Sequence, residues 1–220
     1  MTDPAALQKL VTWLSPAFPV GAFAWSAGLE TAIADRRVTS AERLENWIGG
    51  ALAHGGIRTD AILLAHAHRA ADDAAALEEL ADLSLALTGS KERWMETTIT
   101  ADSYAWAMQF WPSPALDLLP QPCPYPIAVG ALAAAHDIGV EDTLLAWLTA
   151  TVHGQISVAV RLVPLGQSDG LRVLSALEPR VAALAATAAT ATLADLGAIA
   201  YAADIAQMRH ETLEPRIFRS

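Results

Sequence analysis

Residues 15–30 read SPAFPVGAFAWSAGLE, and this stretch sets how the rest of the chain must be arranged. Pro16 has no N–H and pushes Ser15 out of the helical region, and Pro19 repeats the restriction three residues later. From Val20 the apolar and small residues recur at helical spacing, with Phe23 and Ala27, and Ala24 and Gly28, four apart. That spacing predicts a helix from about Val20 to Ala34. Gly21, Ala22, Ala24, Ala27 and Gly28 leave room for another helix to approach one side closely. Spacing alone allows two readings: a helix–loop–helix corner packed in a core, or a row of rigid anchors (Phe23, Trp25, Glu30) of the kind favoured at protein contacts.

Composition extends the helical reading to the whole chain. Of 220 residues, 53% are hydrophobic but only 6% aromatic, and the apolar share is dominated by alanine, then leucine, which lose least on entering a helix. No window shows the Val/Ile/Thr alternation of strands. The net charge of −10 repels phosphate backbones, so no nucleic-acid partner is expected. A single cysteine, Cys123 between Pro122 and Pro124, excludes an internal disulfide and a multi-thiolate metal cage. The opening MTDPAALQK has neither the basic nor the apolar region of a signal peptide. The long apolar run from Val181 to Ala206 carries Asp195 and Asp204, which are costly in lipid, so no membrane span is expected. A cytoplasmic protein follows as the expectation.

Periodicity and caps predict about 8–10 helices. Asp3-Pro4 starts the first, to about Leu14. Thr39 and Glu42 form a capping box for the third, which Gly55-Gly56 ends. Asp60 begins the fourth, Asp72-Asp73 the fifth, and Lys91 a sixth running to about Phe110. A proline-rich loop follows to Pro126, which can start the seventh helix; Glu141-Asp142 favours the N-terminus of the eighth, to about Leu162. Pro179 kinks or restarts a segment that becomes one alanine-rich helix ending near Met208. The expected architecture is all-α: a single-domain helical bundle over residues 1–208 with a mobile docking tail at 209–220. The tail's three arginines and His210 stand out on an acidic chain, and it has too little apolar area to fold when solvated alone.

The candidates for chemistry are few. His66 and His68, two apart on a helix, point in opposed directions and cannot share one ion; no HExxH and no Glu-x-x-His pair exists. The adjacent acids Asp72-Asp73, Glu78-Glu79 and Glu141-Asp142 read as helix starts or solvated faces. No GxSxG, phosphate loop or Cys–His arrangement occurs. A non-enzymatic protein without cofactor or bound metal is expected, one that binds other proteins. A second reading is a helical small-molecule-binding protein or enzyme of the haem-degrading or thiamin-salvage bundle type. That reading requires a convergent polar cluster inside the bundle, and no spaced pair in the sequence supplies one.

Four blocks resemble the UreF family of urease accessory proteins: residues 15–30, CPYPIAVGALAAAHDIGV at 123–140, HGQISVAVRLVPLGQSDGLRVL at 153–174, and DIAQMRHETLEPRIFRS at 204–220. VRLVPLGQ followed by a capping Ser-Asp-Gly is not explained by helix periodicity. Departures from the family pattern stand at Trp25 and at Leu213-Glu214-Pro215. The resemblance implies a helical homodimer, without an active site of its own, in complex with a β-rich accessory protein (UreD, also called UreH) and a UreG-type GTPase that carries nickel for apo-urease. It implies that the tail docks the β-rich partner through Gln207, Met208, Arg209, His210, Glu211, Arg216, Phe218 and Arg219. Pro19, Gly21, Phe23, Ser26, Gly28 and Glu30 would then lie on a partner-facing or dimer surface.

Overall fold

A computed structural model describes residues 3–197 and 199–220. The described residues form ten α-helices and three short 3₁₀ turns, with no strand among them. The helices are α1 (Pro4–Trp13), α2 (Leu29–Ala34), α3 (Ala41–His54), α4 (Gly56–Arg69), α5 (Ala74–Ala86), α6 (Lys91–Met108), α7 (Tyr125–Ala134), α8 (Val140–Leu162), α9 (Gln167–Thr190) and α10 (Tyr201–His210). The all-α, single-domain expectation stands.

α4 is the central rod. Its residues Ala61 to Ala65 are essentially inaccessible to solvent, and it packs against α3, α5, α7, α8 and α9. α7 comes closest, because at Gly130 an added Cβ would collide with the Leu64 carbonyl oxygen. One contiguous core results, from Leu10 and Trp13 of α1 to Phe218 of the tail. Polar caps fix the helix starts: the side chains of Ser40, Asp73 and Ser90 accept from the N–H groups of Arg43, Ala76 and Arg93. α3 is thus capped by Ser40, one residue after the expected Thr39. The buried Cys123 thiol is pushed up to about 12 by burial, consistent with a packing role. His66, His68 and His136 each face a backbone carbonyl, at 3.1, 2.7 and 3.2 Å, and burial lowers all three. α8 is the one described helix long and apolar enough to cross a bilayer; its Leu144, Leu148, Val152, Ile156 and Ala159 are packed in the core.

Three expectations are corrected. The predicted helix Val20–Ala34 is broken: only Ala22–Ala24 form a 3₁₀ turn before α2. Gly21, Ala27 and Gly28 adopt φ of 70°, 51° and 78°, and left-handed residues cannot continue a right-handed helix. The predicted alanine-rich helix to Met208 is also interrupted. α9 runs unbroken through Pro179 but ends at Thr190, where the Asp195 carboxylate accepts from the Thr192 N–H and hydroxyl, both at 2.8 Å. Arg69 donates to the freed carbonyls of Ala189 and Ala191, and Arg58 to that of Asp195. Third, residues 209–220, expected as a mobile docking tail, are packed on the body of their own chain. They fold back onto residues 24–30, with Phe218 and Ser220 buried at 4% and 0% exposure. The tail is short of apolar area, as expected, and polar anchors on its own chain make up the deficit.

Candidate functional site

The anchors are two buried glutamates. Gly28, just before α2, lies in the left-handed region, and this turns the chain so that Glu30, in the first turn of α2, points inward. α10 crosses α2 at Gly28, where a Cβ would stand 2.6 Å from the Gln207 nitrogen; only glycine permits both the φ and the approach. That crossing delivers His210, the last residue of α10, to Glu30. The His210 Nε2 lies 2.9 Å from Glu30 Oε2, and Nδ1 lies 2.8 Å from Oε2 of Glu92, in the first turn of α6. His210 is wholly buried, and both carboxylates are 6% exposed. The imidazole is thus held between two carboxylates, one at each ring nitrogen.

The same carboxylates hold the last turn of the tail. Glu30 accepts the backbone N–H of Ile217 (2.8 Å) and of Phe218 (3.0 Å), and Glu92 accepts from the Arg216 guanidinium (2.8 Å). Two carboxyl groups, an imidazole and a guanidinium therefore close on each other with their polar atoms satisfied, the condition under which a buried polar network is tolerated. Beyond them, the Arg219 N–H donates to the Ala24 carbonyl (2.8 Å) and the Ser26 N–H to the Ser220 oxygen (2.8 Å), which also accepts from the Ser26 hydroxyl. Arg219 stands over the Trp25 ring and Arg161 of α8 over Phe218, 5.8 and 6.0 Å from the ring centroids. Gln155, also on α8, donates to the Ser26 carbonyl (3.2 Å).

Three of the four blocks singled out in the sequence thus meet here: 15–30, 153–174 through Gln155 and Arg161, and 204–220. The candidate residues divide by their burial. Ser26, Gly28, Glu30, Gln207, His210 and Phe218 are buried and build this clasp. Pro19, Phe23, Met208, Arg209, Glu211, Arg216 and Arg219 are exposed around it, and Gly21 is half-buried. Arg209 is not a free cation; it pairs with Asp35 at 2.6 Å. Glu92, Gln155 and Arg161 were missed, because a glutamate in a first turn and polar residues on a long helix look like ordinary solvated positions until the fold supplies their partners.

The model of the UreF family matches residues 38–178. A relative from Agrobacterium fabrum, "Urease accessory protein UreF", is 48% identical over 98% of this chain and 97% of its own length. Relatives of the same name from Rhizobium etli and Rhizobium meliloti are each 47% identical, over 98% and 99% of this chain and 96% and 98% of theirs. The chain belongs to the UreF family. The match to the UreF model ends before the clasp segments at both ends, whereas the full-length relatives extend across them. Among the described residues no group of three or more His, Cys, Asp or Glu side chains comes together as a metal-ligand set.

Proposed function

We propose that this chain is a urease accessory protein. It acts as a non-catalytic, dimeric scaffold in the cytoplasm, with a UreD/UreH-type β-rich protein and a UreG-type GTPase, so that nickel carried by the GTPase is inserted into apo-urease. Membership of the UreF family and near-full-length relatives named as urease accessory proteins support the maturation role.

The observation that carries the docking part is the clasp. It converts a chain end too polar to fold alone into an ordered ridge beside the 15–30 stretch. Within and beside the segments it joins, Phe23, Met208 and Ile217 are 67%, 48% and 77% exposed, apolar groups on an ordered backbone. Pre-ordered apolar anchors bind with little further loss of conformational entropy. The ridge is the proposed docking surface for the β-rich partner. The buried residues of the clasp act by holding it in shape, and the exposed ones by contact.

The test is genetic replacement. A urease operon whose own UreF gene is deleted should regain urease activity and nickel content when this chain is supplied. Failure to restore either, while the Agrobacterium fabrum relative does, would overturn the proposal.

A further inference from the structure

A convergent polar cluster inside the bundle, which no spacing in the sequence announces, is present in the fold. α4 brings Asp60 against Arg93 of α6, and Glu96 lies one turn further along α6. Arg93 pairs closely with Asp60 and, at 3.5 Å, more loosely with Glu96, whose buried Oε2 makes no well-formed hydrogen bond. Two acids share one base, and burial pushes both acids up. One guanidinium between two largely buried carboxyls leaves negative charge in excess, a costly arrangement that calls for an explanation.

The cluster lines a cavity of about 570 Å³ between α3, α6, α8 and the 13–27 segment. Asp60, Arg93 and Glu96 keep 14%, 20% and 20% side-chain exposure, so a small molecule entering the cavity can reach them. The rings of Trp47, Tyr125 and Trp147 belong to the same walls. So do Thr100 and Gln207, and the Thr100 hydroxyl, the Gln207 amide nitrogen and the Trp147 indole nitrogen are buried without partners. An apolar, aromatic cavity with a few unsatisfied polar groups and an excess negative charge has the make-up of a ligand site. Its complement is a positive head on an apolar body, since a cation meets the carboxylate charge left in excess and the aromatic residues of the walls.

We propose that this cavity is a binding site for a small organic cation, a primary amine or guanidine carried on a short apolar or aromatic body. The cavity shares Phe23 and Gln207 with the ridge and clasp, but the proposal does not rest on the docking role.

Titrating the purified full chain with phenethylammonium tests it, read by tryptophan fluorescence and by calorimetry. The expected result is saturable binding in the millimolar range or tighter, with no saturable response to the anionic isostere phenylacetate. Glu96→Gln is expected to weaken the cation at least about tenfold while its far-UV spectrum matches wild type. No saturable response to the cation, or an equal response to phenylacetate, overturns the proposal on the wild-type chain alone, whatever the variant does. Wild-type affinity in a folded Glu96→Gln chain also overturns it.

Discussion

Glu30 and His210 stand 180 residues apart in the chain and 2.9 Å apart in the fold, and through them the first unusual stretch of the sequence holds the last. The ring is fully buried, its other nitrogen is bonded to Glu92, and neither carboxylate has another route to neutralisation except Arg216. Removing the imidazole therefore leaves Glu30 with only the Ile217 and Phe218 N–H groups and Glu92 with Arg216 alone.

His210→Ala and Glu92→Gln should each release residues 211–220 while leaving the helical body intact. Breaking one partner of a buried ionic contact costs about 3–5 kcal/mol, enough to undock a segment held mainly by that contact. Hydrogen exchange should rise in the tail, at the Ile217 and Phe218 amides above all, with far-UV circular dichroism nearly unchanged. Protection equal to wild type in either variant would show that Phe218 and the backbone bonds suffice.

Gly28→Ala should be strongly destabilising. It forces alanine to φ 78° and drives a Cβ to 2.6 Å from the Gln207 nitrogen, so α10 must shift as well. Overpacking of this kind costs about 1–3 kcal/mol. Gly21, with φ 70° and nothing within 4 Å of its Cβ position, offers the control: Gly21→Ala meets only the backbone strain and should cost less. Urea midpoints of the two variants check the order.

Much of this was legible in advance, and the boundary has a physical cause. Alanine and leucine content gave an all-α chain, and short-range capping put helix starts close to Asp73 and Lys91. Reversals that rest on a left-handed alanine were not legible, because Ala27 carries no local mark of φ 51°. Nor was the break after Thr190, which depends on Arg58 and Arg69 arriving from α4 to take the freed carbonyls. The tail's charge pattern marked it as unusual but did not show that its own chain holds it. Its acceptor, Glu92 on α6, lies 118 residues from His210, and no spacing rule spans that distance.

Stability should also carry the signature of the buried acids. Burial raises Glu96 above its ordinary value, so the folded chain holds a proton that the unfolded chain has released, and stability falls as pH rises from about 4 through the folded value. Glu96→Gln removes that slope. The variant should gain on wild type at pH 7–8 and lose the advantage near pH 4, where the acid is neutral in both states. Urea unfolding at the two pH values measures it, and a gain of equal size at both would assign the effect to packing.

Exposed apolar groups outside the clasp bear on self-association. Leu7 and Val11 lie one turn apart on α1 at 53% and 65% exposure, and Trp106 and Phe110 pack edge-on at 6.2 Å while 58% and 74% exposed. Paired exposed groups of this size mark contact surfaces. Light scattering at micromolar concentration should give twice the chain mass, and a monomer at every concentration would remove the dimer from the proposed scaffold.

The docking ridge is tested most directly by charges placed on its outside, where folding is not at stake. Phe23→Asp with Ile217→Asp alters two side chains that are 67% and 77% exposed, so the melting temperature and the tail's exchange protection should match wild type. Co-purification of the UreD/UreH-type partner with this double variant is the measurement. A loss of at least about thirtyfold in affinity, the equivalent of roughly 2 kcal/mol for a lost anchor, is the result predicted. Capture at the wild-type level would contradict the account, and the partner's surface would have to be sought elsewhere on the bundle.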